Sequence, residues 1–247
     1  MTRARSASLP RIIPGSPPEV VVYDEPHDCP YLGERVALLP LRVPARKLQP
    51  TEVDERLTAG DRRQGMFLYR TACPTCRACE PIRLDVNTFT PNRSQRRVQA
   101  RATRELVVEL GSPTADDRRV ELYNRHKELR GLGEGAIDLA GYREFLVMTC
   151  CETFELRYRY QDKLIGVALV DRGETSLSAV YCYYDPAFEH LGVGTFSILK
   201  QVELARAWHL RYVYLGLFIG DCERMRYKAR FLPHERLIDG RWAPFQR

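Results

Sequence analysis

The sequence predicts a mixed α/β (α+β) fold, and three observations carry that prediction. Short runs of β-branched and aromatic residues recur from Val20 to Phe218, bounded by Pro, Gly and Asp. Stretches with helical spacing lie between them. The clearest is Thr195 to Trp208, where Phe196, Leu199, Val202 and Trp208 fall near one face. Apolar residues make up 44% and charged residues 28% of the 247 positions, so the chain has the composition and length to bury one large or two small cores.

The elements follow in order. Residues 1–19 are basic and rich in Ser and Pro, lack the apolar centre of a secretory signal, and read as a disordered tail. Val20 to Tyr23 is strand-like, and a loop with two prolines and Cys29 follows. Val36 to Val43 reads as a strand. Thr51 caps a helix through Leu57 that Gly60 ends. Met66 to Arg70 and Ile82 to Val86 read as strands, and Asn92 or Ser94 caps an arginine-rich helix. The break Gly111-Ser112-Pro113 suggests a boundary between a domain at 20–110 and another at 111–247. Asp116 to Arg130 and Leu139 to Cys151 read as helices, joined through Gly131, Gly133 and Gly135. Thr153–Tyr160, Lys163–Val170, Ser176–Tyr184 and Tyr212–Phe218 read as strands, and Asp221 to Arg230 as a short basic helix. No apolar run is long enough to span a membrane, and a cytoplasmic location is expected.

Two features point to chemistry. Cys73-x-x-Cys76-x-x-Cys79 has ligand spacing, but a closed zinc or iron–sulfur site needs a fourth ligand, and Cys29, Cys150 and Cys151 are candidates. Packed, reduced thiols are the alternative, and the balance goes to them. Arg93, Arg96, Arg97, Arg101 and Arg104 have no acidic residue among them. A solvated helix face and an internal ion-pair network are the alternatives to a phosphate-binding surface, and the local excess tilts the reading toward nucleic acid.

The order of the C-terminal half, three antiparallel-type strands, a glycine loop, a helix, a strand and a short helix, resembles the GNAT acyltransferase core. The loop reads Glu189-His190-Leu191-Gly192-Val193-Gly194. Two glycines before a helix offer N–H groups to an anion, but Glu189 at the mouth opposes a coenzyme A pyrophosphate. No coenzyme A is expected, and no other cofactor is required.

A second resemblance spans residues 23–242. Tyr69-Arg70, the three cysteines, Pro81-x-Arg83 and Arg93-Ser94-Gln95-Arg96-Arg97 look like the N-terminal signature of the aminoacyl-tRNA–protein transferases. Tyr184-Asp185-Pro186, Gly194-Thr195, Tyr212-Val213-Tyr214-Leu215-Gly216 and Cys222-x-x-Met225-x-Tyr227-Lys228 resemble the second half. Length and cysteine run resemble the bacterial aspartate/glutamate leucyltransferase branch. The resemblance implies transfer of an amino acid, leucine in this branch, from charged tRNA to the α-amine of proteins beginning with Asp or Glu, which marks them for N-degron degradation. It also implies a GNAT-like domain behind a smaller cysteine-containing one.

On that footing Lys228, Tyr183 and Asp185 are the catalytic candidates. Arg83 is expected to read the acceptor's carboxylate, with Arg70 and Arg93 in reserve. Arg96, Arg97, Arg101 and Arg104 are expected to hold tRNA. The donor pocket falls to Tyr183, Gly194, Thr195, Phe196, Leu217 and Met225. Asp185 and Asp221 stand near enough to suit an arginyl donor instead. A coenzyme A-dependent N-acetyltransferase and a non-catalytic, metal-stabilised RNA-binding protein are the rivals from other classes.

Overall fold

The computed structural model describes residues 11–133 and 135–246. The expected tail at 1–10 lies outside them, and the rest of that tail is ordered: β1 (Ile12–Ile13) pairs antiparallel with β2 (Glu19–Tyr23). A two-stranded hairpin, β3 (His27–Asp28) and β4 (Val36–Ala37), follows. The strand expected over Val36 to Val43 is thus two strands. Leu38 to Pro40 interrupts it, and β5 (Leu41–Pro44) joins another sheet. Helix α1 (Pro50–Thr58) is capped by Gln49 instead of Thr51, in a capping box with Glu52 and with Pro50 at the first turn. Glu52 also grips Arg46, whose guanidinium holds the carboxyl down at about 2. Strands β6 (Arg62–Gln64) and β7 (Phe67–Tyr69) complete a five-stranded sheet in the order β1-β2-β5-β7-β6.

Strand β8 (Glu80–Asp85), helix α2 (Arg93–Glu105) and strand β9 (Val107–Gly111) come next. Asn92 caps α2 through the Gln95 amide, and Gln95 returns a bond to the Asn92 amide. Its buried residues are Gln95 and Ala102, so all five arginines lie on the exposed side. Helix α3 (Asp117–Leu129) is capped by Asp116. The helix expected over Leu139 to Cys151 is shorter. One turn of α4 (Leu139–Tyr142) passes into a π turn over Arg143–Val147, and Cys150 and Cys151 lie buried beyond it.

Strands β10 (Thr153–Tyr160), β11 (Lys163–Arg172) and β12 (Ser176–Tyr184) form an antiparallel meander. Helix α5 (Val193–Ala207) then crosses to β13 (Tyr212–Phe218), which runs parallel to β12. A turn of α6 (Glu223–Arg226), a 3-10 turn over Tyr227–Arg230, and the hairpin β14 (His234–Ile238) and β15 (Arg241–Phe245) close the chain. The large sheet runs β15-β14-β8-β13-β12-β11-β10-β9. Gly111, where the sequence suggests a domain boundary, ends β9, an edge strand of this same sheet. β8 sits deeper, between β14 and β13. One core of Ile82, Leu84, Ile165, Phe196, Leu199 and Val213 packs α2 and α5 on the sheet. A second, with Leu122, Tyr142 and Tyr183, lies under α3 and α4.

A cationic cleft where two parallel strands part

Strands β12 and β13 pair over three steps only, Ser176 with Tyr212, Leu177 with Val213 and Ser178 with Tyr214. Beyond that β12 stays on β11 as far as Tyr184, and β13 stays on β8 as far as Phe218. The two strands therefore part, and backbone groups along the gap lose their ladder partners. The register of β13 against β8 breaks between Tyr214 and Leu217, and Gly216 there sits at φ +86°, a left-handed conformation that glycine adopts without strain.

Two cations fill the gap. Arg62, from the edge strand of the small sheet, donates to the Ala179 carbonyl at 3.3 Å. Lys228, from the 3-10 turn, donates to the Leu217 carbonyl at 2.6 Å and reaches the Met225 sulfur at 3.5 Å. A Cβ at Gly216 would lie 3.3 Å from an Arg62 Nη and 3.4 Å from Lys228 Nζ, so the glycine also lets both approach the backbone. Both side chains are buried, each residue 7% exposed. Among the described residues neither forms an ion pair. Asp171 lies within reach of the charge of Arg62, but both its oxygens are held by Arg63, at 2.7 and 2.8 Å. Burial, then the neighbouring Arg62, pushes the Lys228 ammonium down to about 7. Burial likewise lowers Arg62.

Around the cations stand Tyr31 and Tyr69, whose phenols are pushed up chiefly by burial. Tyr31 comes from the β3–β4 hairpin, and the charges of Arg62, Cys79 and Cys222 all reach it. The cysteine segment is therefore a wall of the cleft. Cys73 is buried, and Cys76 and Cys79 are half-buried. The Ala78 amide, then Arg35 at 3.3 Å, lowers the Cys76 thiol, while burial and the other thiols push Cys79 up to about 12. Among the described residues no three His, Cys, Asp or Glu side chains form a group placed to hold a metal ion.

The residues singled out in the sequence separate into two sets. Lys228, Leu217 and Met225 meet at the cleft. Tyr183 does not. It is fully buried in the core under α3 and α4, with its hydroxyl on that of Tyr142. Asp185 caps the turn after β12 through the Ala187 amide and pairs with Arg125 at 2.9 Å, so it is committed to structure. Phe196 packs edge-on against Tyr158 in the main core. Gly194 and Thr195 are half-buried in the first turn of α5, and a Cβ at Gly194 would lie 3.6 Å from the Tyr184 ring. Gly192 serves packing: at φ +68° it starts α5, and a Cβ there would lie 2.8 Å from Val98 of α2. Glu189 at the loop mouth faces Arg130 at 3.5 Å.

The expected acceptor reader, Arg83, is engaged within the fold. Its Nε donates to Glu235 at 2.6 Å and an Nη to the Tyr214 hydroxyl at 3.0 Å. Its guanidinium lies 3.9 Å from the Tyr212 ring centre and 4.0 Å from that of Trp242. Arg70 pairs with the buried Asp61 at 2.9 Å, and Arg93 is exposed at the start of α2. Arg96, Arg97, Arg101 and Arg104 are exposed along the same helix, Arg104 against Glu105 at 3.0 Å. Gln95 of the first turn of α2 donates to the Arg230 carbonyl at 3.2 Å, two residues beyond Lys228. The arginine stripe thus begins beside the cleft.

Sequence reasoning missed Arg62. It stands next to Arg63 in Asp61-Arg62-Arg63-Gln64, and nothing local tells which of the two finds an acid far along the chain.

Residues 27–97 match the model of the arginine-tRNA-protein transferase N terminus, and residues 118–238 that of its C terminus. A protein of Saccharophagus degradans named aspartate/glutamate leucyltransferase is 38% identical over 224 residues, covering 89% of this chain and 94% of its own length. A protein of the same name from Thiobacillus denitrificans is 36% identical over 223 residues, covering 89% of this chain and 92% of its own.

Proposed function

The chain belongs to the arginine-tRNA-protein transferase family, and from that premise we propose that it transfers leucine from leucyl-tRNA to the α-amine of proteins beginning with Asp or Glu. The observation that supports this reading best is the gap between β12 and β13, which holds two buried cations partnered by backbone carbonyls. An acidic acceptor suits that charge. The exposed arginines of α2 offer the tRNA backbone a surface that begins at the same place.

The donor ester is already activated, so the protein's task is to position the two reactants and manage one proton. The attacking amine must be neutral, and it releases a proton as the amide forms. Lys228, held near about 7, is partly neutral at cytoplasmic pH and takes that proton. Lys228 returns that proton to the ester oxygen of the tRNA's terminal ribose, which leaves as the free hydroxyl.

Leucine suits the surroundings better than arginine. The Met225 thioether lies beside Lys228, and Leu217 meets it through its backbone carbonyl. An arginyl donor needs an acid, and Asp185 is already held by Arg125, while Asp221 is exposed and lies in the field of Arg35. Burying an unpaired cation is costly, so an apolar pocket strongly disfavours arginine. Competition between labelled leucyl- and arginyl-tRNA for one Asp-initiated peptide tests this. Leucine should dominate the product, and dominant arginine would overturn the donor assignment.

A further inference from the structure

Arg62 is a buried guanidinium without an acid of its own. Of its N–H groups one meets the Ala179 carbonyl, at a long 3.3 Å, and among the described residues it has no ion pair. The neighbouring charges make matters worse. Arg63 takes both oxygens of Asp171, so among the described residues no carboxylate pairs with Arg62 or Lys228, and Asp171 reaches Arg62 only through its field. An uncompensated buried cation is destabilising, and such arrangements persist in proteins where a ligand supplies the missing charge. The fold goes to some length to keep it: a glycine in left-handed geometry at 216 gives the guanidinium its room, and β6 delivers it from a different sheet.

We propose that Arg62 holds the side-chain carboxylate of the acceptor's first residue and so sets that residue's α-amine against Lys228. This rests on the transferase activity proposed above, and it assigns to Arg62 the part that the sequence suggested for Arg83. The spacing fits one amino acid. Arg62 and Lys228 both approach the same face of Gly216, and in Asp or Glu the carboxylate and the α-amine are separated by a few bonds. A guanidinium grips a carboxylate by two parallel hydrogen bonds, whereas the amide of Asn or Gln offers it one neutral oxygen and an N–H group that repels. Tyr31 and Tyr69 crowd the guanidinium, which suits a short side chain. A nucleic-acid backbone needs an open track, and the exposed arginines of α2 provide one elsewhere.

The test compares kcat/KM for Asp- and Asn-initiated forms of one peptide, with leucyl-tRNA as donor, in the wild type, Arg62→Gln and Arg62→Lys. The wild type should prefer Asp by at least ~100-fold, since a site built around a charged hydrogen bond rejects the analogue that lacks it. In Arg62→Gln the preference should fall below ~10-fold, with Asp transfer lost and Asn transfer kept or raised. Arg62→Lys should fall between, because it keeps the charge but not the fork. The Gln variant should melt no lower than the wild type, since the substitution removes an unpaired buried charge. If it does not fold, Arg62→Lys carries the test. An unchanged Asp-to-Asn ratio would overturn the proposal. So would loss of tRNA affinity with the ratio intact, which would assign Arg62 to the nucleic acid. If the wild type transfers no leucine at all, the function proposed above fails instead, and calorimetric binding of the two peptides to wild type and variant still decides the role of Arg62.

Discussion

Replacing Arg83 with alanine should weaken the fold and leave acceptor choice alone. The arginine is 8% exposed and makes four contacts that alanine cannot. Its bond to Glu235 at 2.6 Å is charge-assisted, and losing one partner of such a bond costs about 1.5–3 kcal/mol. The stacks on Tyr212 and Trp242, at 3.9 and 4.0 Å, contribute about 0.5–1 kcal/mol each. The Tyr214 hydroxyl loses a neighbour, but Thr58 at 3.2 Å still meets it, which limits that loss. The total comes to about 3–5 kcal/mol, which for a chain of this size lowers the melting temperature by roughly 10 °C. The loss should extend beyond the single residue, because Arg83 links β8 to both β13 and β14. Thermal melts by circular dichroism, beside the Asp-to-Asn ratio of kcat/KM measured below the transition, provide the readout. An unchanged melt with a raised KM for Asp-initiated peptides would refute the structural role and return Arg83 to the acceptor.

Two further outcomes follow from the charges. Arg96→Ala combined with Arg97→Ala should weaken tRNA binding and lower the slope of log affinity against log salt by about 1.5–2, with the melt unchanged because both residues are exposed; an unchanged slope would remove them from the interface. Lys228→Met should abolish transfer yet stabilise the fold near neutral pH. With the native group at about 7 and an ordinary lysine near 10.5, the unfolded chain binds the extra proton between those values, so wild-type stability climbs as pH rises through that window. The variant's advantage should therefore be greatest at and below pH ~7 and shrink by up to about 1.4 kcal/mol per pH unit above it, read from guanidinium melts at pH 6.5 and 8.5; an advantage that does not change with pH would show that Lys228 is charged throughout the range.

Much of the C-terminal half was legible in the sequence because its signals are local. The strands at 153–160 and 176–184 and the helix over Thr195 to Trp208 follow from periodicity, turns and caps contained within each segment. The cap of the arginine-rich helix was narrowed to Asn92 or Ser94 for the same reason, and Asn92 holds it. What failed was pairing at a distance. Nothing in Glu80–Asp85 says that it will lie between two strands from the end of the chain. Arg83 and Arg62 show the same limit in the site. Each is an arginine in a short strand, and their roles are separated by whether an acid, Glu235 or none, arrives from far along the chain. Lys228 stood out because its motif is compact, and it lies buried at the gap, whereas strand alternation alone does not reveal which layer Tyr183 and Asp185 join.

The position of β8 sets a timetable for biosynthesis. Ile82 and Leu84 are fully buried, but the strands that flank them, Tyr212–Phe218 and His234–Ile238, are made far later. At ~5–20 residues per second, about 6 to 25 seconds pass between synthesis of β8 and the appearance of its first neighbour. During that interval a sticky strand with two unpaired edges is held by a growing chain. Ribosome-bound intermediates ending before residue 212 should therefore engage chaperones, while Arg62 waits for the strands whose gap it will occupy.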